Sequence, residues 1–310
     1  MRPSLTLGYL GLTFAQVAIS INVVTSKYVL ATLPMFTFLT ARFGISSLLL
    51  FIALKMTKTP LAVAEHGVLT RYDWGMAILQ GIFAAFLFNL FFVWGLQHTT
   101  ATAAGIISST LPAIIAICAI WLLKERLNRV KILALGFAML GILIINIDNI
   151  EGVSNSNHTY WGDFLVFVAM FPEAWYSIIS RKLASRVTPL GAAFIANAVG
   201  FICWLPCALF SSSAFELSFY GASEFGLVFL AGLSAVIFFW CWGWGLSFIS
   251  ASTAAIFGGI MPVATMLFAI IFLNENLHWY DLVGMLFVMF SIALGAGWYP
   301  AWRKAARLNT

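Results

Sequence analysis

The sequence predicts an all-α integral membrane protein of ten transmembrane helices, arranged as two inverted repeats of five helices each. Three observations predict this fold class. Hydrophobic residues make up 62% of the chain and charged residues only 9%, whereas soluble domains carry about 25% charged residues. Apolar runs of about 20 residues, the length that crosses a bilayer as a helix, recur along the chain. Finally, several short motifs return 150 residues later.

Ten apolar runs account for most of the chain. A helix is the natural form for each run, because it satisfies its own backbone hydrogen bonds where lipid cannot. Polar or turn-forming stretches separate the runs, and we expect the first run to be a retained helix rather than a cleaved signal peptide. The runs lie at about 5–30, 34–56, 74–96, 102–123, 129–147, 161–180, 189–210, 224–247, 252–273 and 279–299.

The basic residues predict the orientation. Cytoplasmic loops of membrane proteins are enriched in Lys and Arg. If the N-terminus is cytoplasmic, 14 of the 16 basic residues lie in cytoplasmic segments, and the other two are Lys27 and Arg42. The sequence therefore predicts cytoplasmic N- and C-termini, and the net charge of +5 needs no nucleic-acid partner. The 14 residues are Arg2, Lys55, Lys58, Arg71, Lys124, Arg126, Arg129, Lys131, Arg181, Lys182, Arg186, Arg303, Lys304 and Arg307.

A repeat divides the chain into two copies. The stretch ISSTLPAIIAICAIWLLKERL (107–127) is matched by FGGIMPVATMLFAIIFLNENL (257–277), and the WGL at 94–96 returns at 244–246. We expect 1–150 to form the first copy and 151–310 the second. Five helices per copy is an odd number, so the second copy enters the membrane from the opposite side. Inverted copies related by an in-plane pseudo-two-fold axis are typical of secondary transporters.

These motifs resemble the EamA family of the drug/metabolite transporter superfamily. The resemblance is carried by ISINVVTSKYVL with Pro34 and Arg42, then by the WGL, TLP and KERL series and its WGL, IMP and NENL counterpart. It implies a ten-helix basket around a central cavity, lined chiefly by helices 1, 3, 4, 6, 8 and 9. It also implies a bacterial cytoplasmic (inner) membrane, no cofactor, and the export of amino acids or other small metabolites.

Glu173, in the stretch FPEAWY, is the most informative polar residue. It lies ten residues past Asp163, which is about 15 Å into the membrane at 1.5 Å per residue. Ionisable groups at that depth are costly and often functional. We expect Glu173, with Trp175 and Tyr176 beside it, to bind a substrate ammonium or a coupling proton. A structural carboxyl bonded to a neighbouring helix is the alternative.

Uncharged polar residues suggest further contacts with a substrate. Gln16 and Asn89 fall deep in the first and third runs, where an amide offers a donor and an acceptor to a neutral or zwitterionic substrate. Hydrogen bonding between helices is an equal alternative for both, and it is the favoured role for Asn22 and Asn197. Ser109 either faces the substrate or bonds carbonyls freed by the nearby proline.

Two prolines and three charged residues are expected to shape the helices. Pro112 and Pro262 each lie about 15 Å into a run, and a kink there would serve either gating or a fixed bend. Arg42 is expected to be structural. Glu125 and Glu275 stand at run ends, where capping of a helix N-terminus or a salt bridge is favoured over transport chemistry.

The aromatic cluster FFWCWGWG (238–245) is denser than an interfacial belt requires. Phe238 and Trp242 share one helical face and Trp240 does not. Packing is the favoured role for the cluster, and Trp240 is the stronger candidate for a cavity-lining residue.

The sequence therefore predicts a secondary transporter of small metabolites, in particular an amino-acid exporter working by alternating access. The alternative is a multidrug exporter, because a carboxyl among aromatic rings also suits a hydrophobic cation. Proton coupling stays open. A passive channel would need a continuous polar stripe. An enzyme is disfavoured because the sequence contains no phosphate loop, HExxH or nucleophile elbow.

Overall fold

The computed structural model describes residues 3–30, 32–63, 67–96, 98–99, 107–145, 160–211, 221–273 and 279–296. These residues form ten helical segments and no β-strand, and each segment falls on one of the predicted apolar runs. The segments are α1 (Pro3–Val29), α2 (Met35–Thr57), α3 (Arg71–Gly81, Ile82–Leu87 and Phe88–Leu96), α4 (Leu111–Leu123), α5 (Arg129–Ile145), α6 (Tyr160–Leu183), α7 (Pro189–Leu209), α8 (Ala222–Phe248), α9 (Ala251–Phe257 and Ile260–Leu273) and α10 (Trp279–Gly295).

Local sequence signals begin and end several helices. A capping box begins α3, where the Thr70 hydroxyl accepts from the Asp73 amide and the Asp73 carboxylate accepts from the Thr70 amide. The Thr188 hydroxyl caps α7 and Pro189 follows it, as expected for the first helical position. These signals place helix ends within a few residues of the predicted run boundaries.

Length and composition qualify seven of the segments as membrane-crossing helices. They are α1, α2, α3, α6, α7, α8 and α9, whereas α4 and α10 are apolar but shorter and α5 has 17 residues. Large apolar side chains are exposed on the outside of the bundle, for example Trp121, Phe210 and Leu286. A helical surface of this kind is suited to lipid rather than to water.

The principal helix pairs join the two copies. The most extensive contacts are α1 with α8, α2 with α7, α3 with α6, and α5 with α10. Further contacts join α2 with α8, α3 with α7, α1 with α9, and α4 with both α6 and α9. Every one of these pairs combines a helix before residue 150 with a helix after it. The helices before residue 150 are therefore interleaved with those after it and do not form a separate globular unit.

Glycines allow the closest of these contacts. A Cβ on Gly284 in α10 would lie 2.8 Å from the carbonyl oxygen of Gly141 in α5, and a Cβ on Gly141 would lie 2.8 Å from the Gly284 carbonyl. A Cβ on Gly11 in α1 would lie 2.8 Å from the Trp244 ring in α8. The backbones of these pairs approach as closely as small residues permit.

Two helices are interrupted at corresponding places. Residues 107–108 are helical, 109–110 form a turn, and α4 then begins with Pro112 in its first turn. Likewise α9 breaks at 258–259, three residues before Pro262. Pro112 therefore lies in the first turn of a helix and Pro262 in the helical part that follows a break, and their part in gating or in a fixed bend stays a prediction. In the turn before α4, the Thr110 hydroxyl bonds the Ile107 carbonyl at 2.7 Å.

A third irregularity lies inside α3, where residues Ile82–Leu87 form a π-helix. The Asn89 amide nitrogen donates to the carbonyls of Ala84 and Ala85, both at 3.2 Å. The Trp204 indole N–H of α7 donates to the same Ala85 carbonyl at 2.8 Å. Side chains therefore supply donors to the carbonyls of this segment, which explains how the π-helix is maintained.

One end of the bundle, which we call the basic end, gathers the ends of α2, α6 and α8 and the beginnings of α3, α5, α7 and α9. Lys182 donates to the Tyr72 hydroxyl at 2.8 Å, and Lys131 donates to Ser250 at 3.0 Å. The chain preceding α3 pairs with the chain preceding α7 through Val63 N–H to the Arg186 carbonyl and Thr188 N–H to the Leu61 carbonyl, both 2.9 Å. The basic loop residues thus meet on one side of the molecule.

Candidate functional site

Polar side chains form a stripe along one face of α6. Glu173, Tyr176, Ser177 and Ser180 follow the spacing i, i+3, i+4 and i+7, which places them on the same side of a helix. The opposite face carries Phe164, Phe167, Phe171 and Trp175, all exposed. Helix α6 therefore presents apolar rings to the outside of the bundle and polar groups to its interior.

Glu173 is half-buried on this stripe. No hydrogen bond or salt bridge joins its carboxyl to another described residue. Pro172 precedes it inside the helix and has no N–H for the Val168 carbonyl, one turn earlier. The alternative of a carboxyl bonded to a neighbouring helix therefore finds no partner within the described residues.

An aromatic cluster from α6 and α8 lies next to the stripe. Tyr176 is buried, and its ring contacts Phe239 at 5.6 Å and Phe238 at 6.5 Å between ring centroids. Phe238 stacks on Trp242 at 6.1 Å. The Trp242 indole N–H is buried and finds no hydrogen-bond partner among the described residues, so it is available to a polar ligand. The Tyr176 hydroxyl is buried next to the Ser180 hydroxyl.

Gln80 of α3 extends the polar stripe. Its amide nitrogen donates to the Ser180 hydroxyl at 3.0 Å. The Gln80 carbonyl oxygen and the Ser177 hydroxyl are both buried, with no hydrogen-bond partner among the described residues. Together with Tyr176 and Trp242, they give the interior a set of buried groups that can donate and accept.

A cavity of ≈ 360 Å³ opens at the basic end, where α6 finishes. Ala184 lies in the turn directly after α6. Arg181 donates through one nitrogen, Nη1, to the carbonyls of Leu246 at 2.6 Å and Ser247 at 3.1 Å. A cation at the C-terminal carbonyls of α8 is favourable. The lining residues are Leu123, Glu125, Arg181, Ala184, Ser185 and Ser247.

Glu125 lies on another wall of the cavity and caps a helix. Its carboxylate accepts from the Ala251 amide at 2.8 Å, the Ser252 amide at 3.2 Å and the Ser252 hydroxyl at 2.5 Å. The capped helix is α9, not α5, which begins beside Glu125 in the sequence. Glu275, the corresponding residue of the expectation, lies outside the described residues.

Arg42 occupies a second polar cluster in the middle of the bundle. It is buried and donates to the Asn22 oxygen at 2.9 Å and to the Asn89 oxygen at 3.5 Å. The guanidinium also lies 4.3 Å from the Phe43 ring centroid. Asn22 in turn donates to the Ala231 carbonyl of α8 at 2.8 Å. Arg42 thus joins α1, α2 and α3, in line with the expected structural role.

The two amides considered for substrate contact differ in the structure. Both ends of the Asn89 amide are engaged, by Arg42 and by the α3 carbonyls, which favours hydrogen bonding between and within helices. Gln16 is buried, and its side chain has no hydrogen bond to a described residue. Ser109 is also buried, in the turn before α4. Asn197 donates to the Ala193 carbonyl of its own helix.

Two tryptophans singled out from the sequence lie on exposed faces, which corrects their expected placement. Trp175 is 36% exposed, and its ring stacks on Phe83 at 6.0 Å. Trp240 is 47% exposed and shares a face of α8 with Leu233 and Ile237. Trp242, with 4% exposure, is the tryptophan that lies inside. Both faces of α8 are apolar, so composition alone did not distinguish the lipid side from the interior.

Three polar residues of the stripe, Gln80, Ser177 and Ser180, were not expected from the sequence, and Arg181 was expected only as a marker of orientation. The sequence could have indicated the serines, because they follow Glu173 by four and seven residues and so lie on the same helical face. Gln80 and Arg181 gave no comparable signal, since their partners lie in other helices. No group of three metal-binding side chains occurs within the described ranges.

This arrangement is that of a bundle of apolar helices with polar side chains in its interior and a cavity at its basic end. The sequence model of the EamA-like transporter family matches residues 6–147 and again residues 160–296. The chain therefore belongs to the EamA-like transporter family. Members of this family are multi-pass membrane transporters and not enzymes, so this chain is a membrane transporter.

Similar proteins carry the same description. The chain is 26% identical over 280 residues to "Uncharacterized transporter YetK" of Bacillus subtilis, covering 89% of this chain and 83% of that protein. It is 26% identical to "Uncharacterized transporter YyaM" of the same organism, covering 71% and 72%. A solved crystal structure superposes with a TM-score of 0.75 over 100% of both chains at 18% identity, which supports the fold alone.

Proposed function

We propose that this chain is a secondary transporter that moves small metabolites, in particular amino acids, out of the cell by alternating access. In this proposal all ten helical segments cross the bacterial cytoplasmic membrane, residues 1–150 and 151–310 form inverted five-helix repeats, and both termini are cytoplasmic. The basic end then faces the cytoplasm, and the cavity at that end receives the substrate.

The pattern of helix pairs supports the inverted repeat. Replacing every helix by its counterpart five positions along turns the α1–α8 pair into α6–α3, α2–α8 into α7–α3, and α1–α9 into α6–α4. All of these pairs are in contact. The pairs α2–α7, α4–α9 and α5–α10 are unchanged by the replacement and are also in contact. A two-fold relation between the copies accounts for this regularity.

The observation that carries the proposed function is Glu173. Its carboxyl lies on the polar stripe near the middle of a membrane-crossing helix, half-buried and without a hydrogen bond to a described residue. A carboxyl in this position can hold a substrate ammonium or a coupling proton. The Tyr176 hydroxyl, one turn along the same face, can orient the remainder of a small polar substrate.

The aromatic cluster favours a second candidate function, the export of hydrophobic cations. Tyr176 follows Glu173 by three residues on the same face of α6, and its ring contacts Phe238, which stacks on Trp242. Cations bind the faces of such rings, with Trp the strongest partner. The two functions share Glu173 and differ in whether the substrate also carries an anionic group.

The test is transport by purified protein in proteoliposomes loaded with a panel of amino acids or cationic dyes, with and without a pH gradient. We expect amino-acid flux that follows the gradient and loses that dependence in Glu173→Gln. Glu224→Gln serves as the matched control, because Glu224 lies in the first turn of α8, away from the stripe. Flux that ignores both gradient and substitution would leave a facilitator without a coupling role for Glu173. Dye flux alone would favour the cation exporter.

A further inference from the structure

We propose that Arg181 recognises the carboxylate of the substrate at the mouth of the cavity and so makes the transporter selective for zwitterionic amino acids over plain cations. This inference rests on the proposed function and deepens it, because it names the chemical class of the substrate. The separate observation behind it is the unused hydrogen-bonding capacity of Arg181.

The Arg181 side chain is held in place by hydrogen bonds from one nitrogen, and its other nitrogens bond no described residue. Only Nη1 is engaged, by the carbonyls of Leu246 and Ser247, and these two bonds fix the plane of the guanidinium. Neither Nε nor Nη2 bonds a described residue, and Arg181 lines the cavity. The Nε and Nη2 pair is one of the edges through which a guanidinium binds both oxygens of a carboxylate.

The Glu125 carboxylate, which also lines the cavity, does not occupy the donors of Arg181. The Glu125 carboxylate accepts three hydrogen bonds at the start of α9, from the Ala251 amide, the Ser252 amide and the Ser252 hydroxyl. Lys131 reaches the same turn, with Nζ 3.3 Å from the Ser252 hydroxyl. No salt bridge joins Glu125 to Arg181 among the described residues. The cavity therefore offers free cationic donors and an already satisfied carboxylate.

The position of Arg181 on α6 sets the order of contacts. Arg181 lies eight residues beyond Glu173, about 12 Å along the helix axis, with Ser177 midway between them. That separation exceeds the distance between the ammonium and carboxylate of an α-amino acid, so one molecule contacts the two residues in succession. From the basic end, the substrate carboxylate meets Arg181 before the ammonium reaches Glu173.

This order distinguishes zwitterions from cations. A zwitterion gains charge-assisted hydrogen bonds at Arg181 that offset its dehydration. A cation without a carboxylate meets a like charge there and gains no bond in return. Arg181 thus selects against the substrates that Glu173 and the aromatic rings would accept by themselves.

The test compares two probes in the same proteoliposomes. L-Phenylalanine carries the carboxylate, whereas phenethyltrimethylammonium has the same ring and a permanent cation but no carboxylate. The quantity measured is the ratio of their initial rates, which does not depend on how much protein is folded. We expect Arg181→Gln to lower this ratio about tenfold, the usual scale for losing hydrogen bonds to a charged group. Arg181→Lys, which keeps the charge and loses the fork, should lower it less.

Lys182→Gln is the matched control, because it removes one positive charge from the next position, where the side chain bonds Tyr72 outside the cavity. The ratio should stay unchanged in this variant. An equal fall in Lys182→Gln, or an Arg181→Gln protein that loses both fluxes in proportion, would overturn the role of Arg181 and leave the proposed function standing. A wild-type protein that carries no amino acid would overturn the proposed function, and this inference with it.

Discussion

At the residue scale, the polar side chains of this membrane protein differ in whether they bond to neighbouring helices. Arg42, Asn22 and Asn89 are connected to one another and to backbone carbonyls of neighbouring helices, which is the pattern of a structural cluster. Glu173, Gln16 and the free donors of Arg181 have no such partners among the described residues. A transport site needs polar groups without partners inside the protein, because the substrate must exchange its hydrogen bonds to water for hydrogen bonds to such groups.

Asn89 and Asn197 are two asparagines whose side chains make different numbers of hydrogen bonds, so their alanine variants can be compared directly. Asn89 bonds two α3 carbonyls and Arg42, whereas Asn197 makes one bond within its own helix and its oxygen is buried without a described partner. We expect Asn89→Ala to be about 1–2 kcal/mol more destabilising than Asn197→Ala, because more buried partners lose their bonds. The measurement is thermal unfolding of the two variants and the wild type in the same detergent. Equal losses would show that the Asn89 cluster adds no stability.

The sequence could predict that most of these residues matter, but not how they differ. The depth of Glu173, Arg42 and Asn89 follows from counting residues along each run. Their partners belong to other helices, so only the assembled bundle separates a saturated amide from a free carboxyl. Trp240 was predicted to face the interior, but Trp242 is the residue that does. An apolar helix in a membrane has no polar face that would distinguish its outer side in the sequence.

At the element scale, the positions of all ten helical segments follow from apolar runs and from local signals such as the capping box before α3. The prolines predicted kinks inside two runs, whereas the structure has short breaks in front of Pro112 and Pro262. The π-helix in α3 was not predicted, because it depends on donors from Asn89 and Trp204. The close contact between Gly141 and Gly284 was not predicted either, because the two glycines lie far apart in the sequence.

Glycine-to-alanine substitutions in α5 and α10 should change the stability in opposite directions, depending on the space at each position. A methyl group at position 284 meets the Gly141 carbonyl and the Ile145 backbone, so Gly284→Ala should destabilise the protein by about 1–3 kcal/mol. At Gly136, in the same pair of helices, no atom lies within 4 Å of the place that a Cβ would take. Gly136→Ala should therefore be neutral or stabilising by up to about 1 kcal/mol. Thermal unfolding in detergent measures both changes, and a destabilising Gly136→Ala would contradict this account of the packing.

At the scale of the whole molecule, the distribution of Lys and Arg predicts which side of the membrane each loop faces. The structure gathers Lys131, Arg181 and Lys182 at one end of the bundle. We expect this end to be cytoplasmic, because basic loops are retained on that side during insertion. The prediction concerns every loop at once, so it can be checked with a few positions from each copy.

The check is cysteine labelling in intact cells, on a variant whose four native cysteines are replaced by alanine. A membrane-impermeant maleimide should label Thr32→Cys and Ser211→Cys, which lie beyond the end of the bundle opposite the basic residues. It should leave Thr57→Cys and Ser185→Cys unlabelled until the cells are opened. The reverse pattern would place the basic end outside and would reverse the direction in which the cavity faces.

The interleaved pairing of helices has a consequence for biosynthesis. Helix α1 leaves the ribosome early, but its main partner, α8, begins only at Ala222. The face of α1 that carries Gly8, Gly11 and Leu12 must therefore wait, in lipid or beside the insertion machinery, while some 200 residues are made. The same delay applies to α2, whose partner is α7. A chain released after its first five helices would lack the partners of nearly all of them, so the two copies, although alike in sequence, mature as one unit.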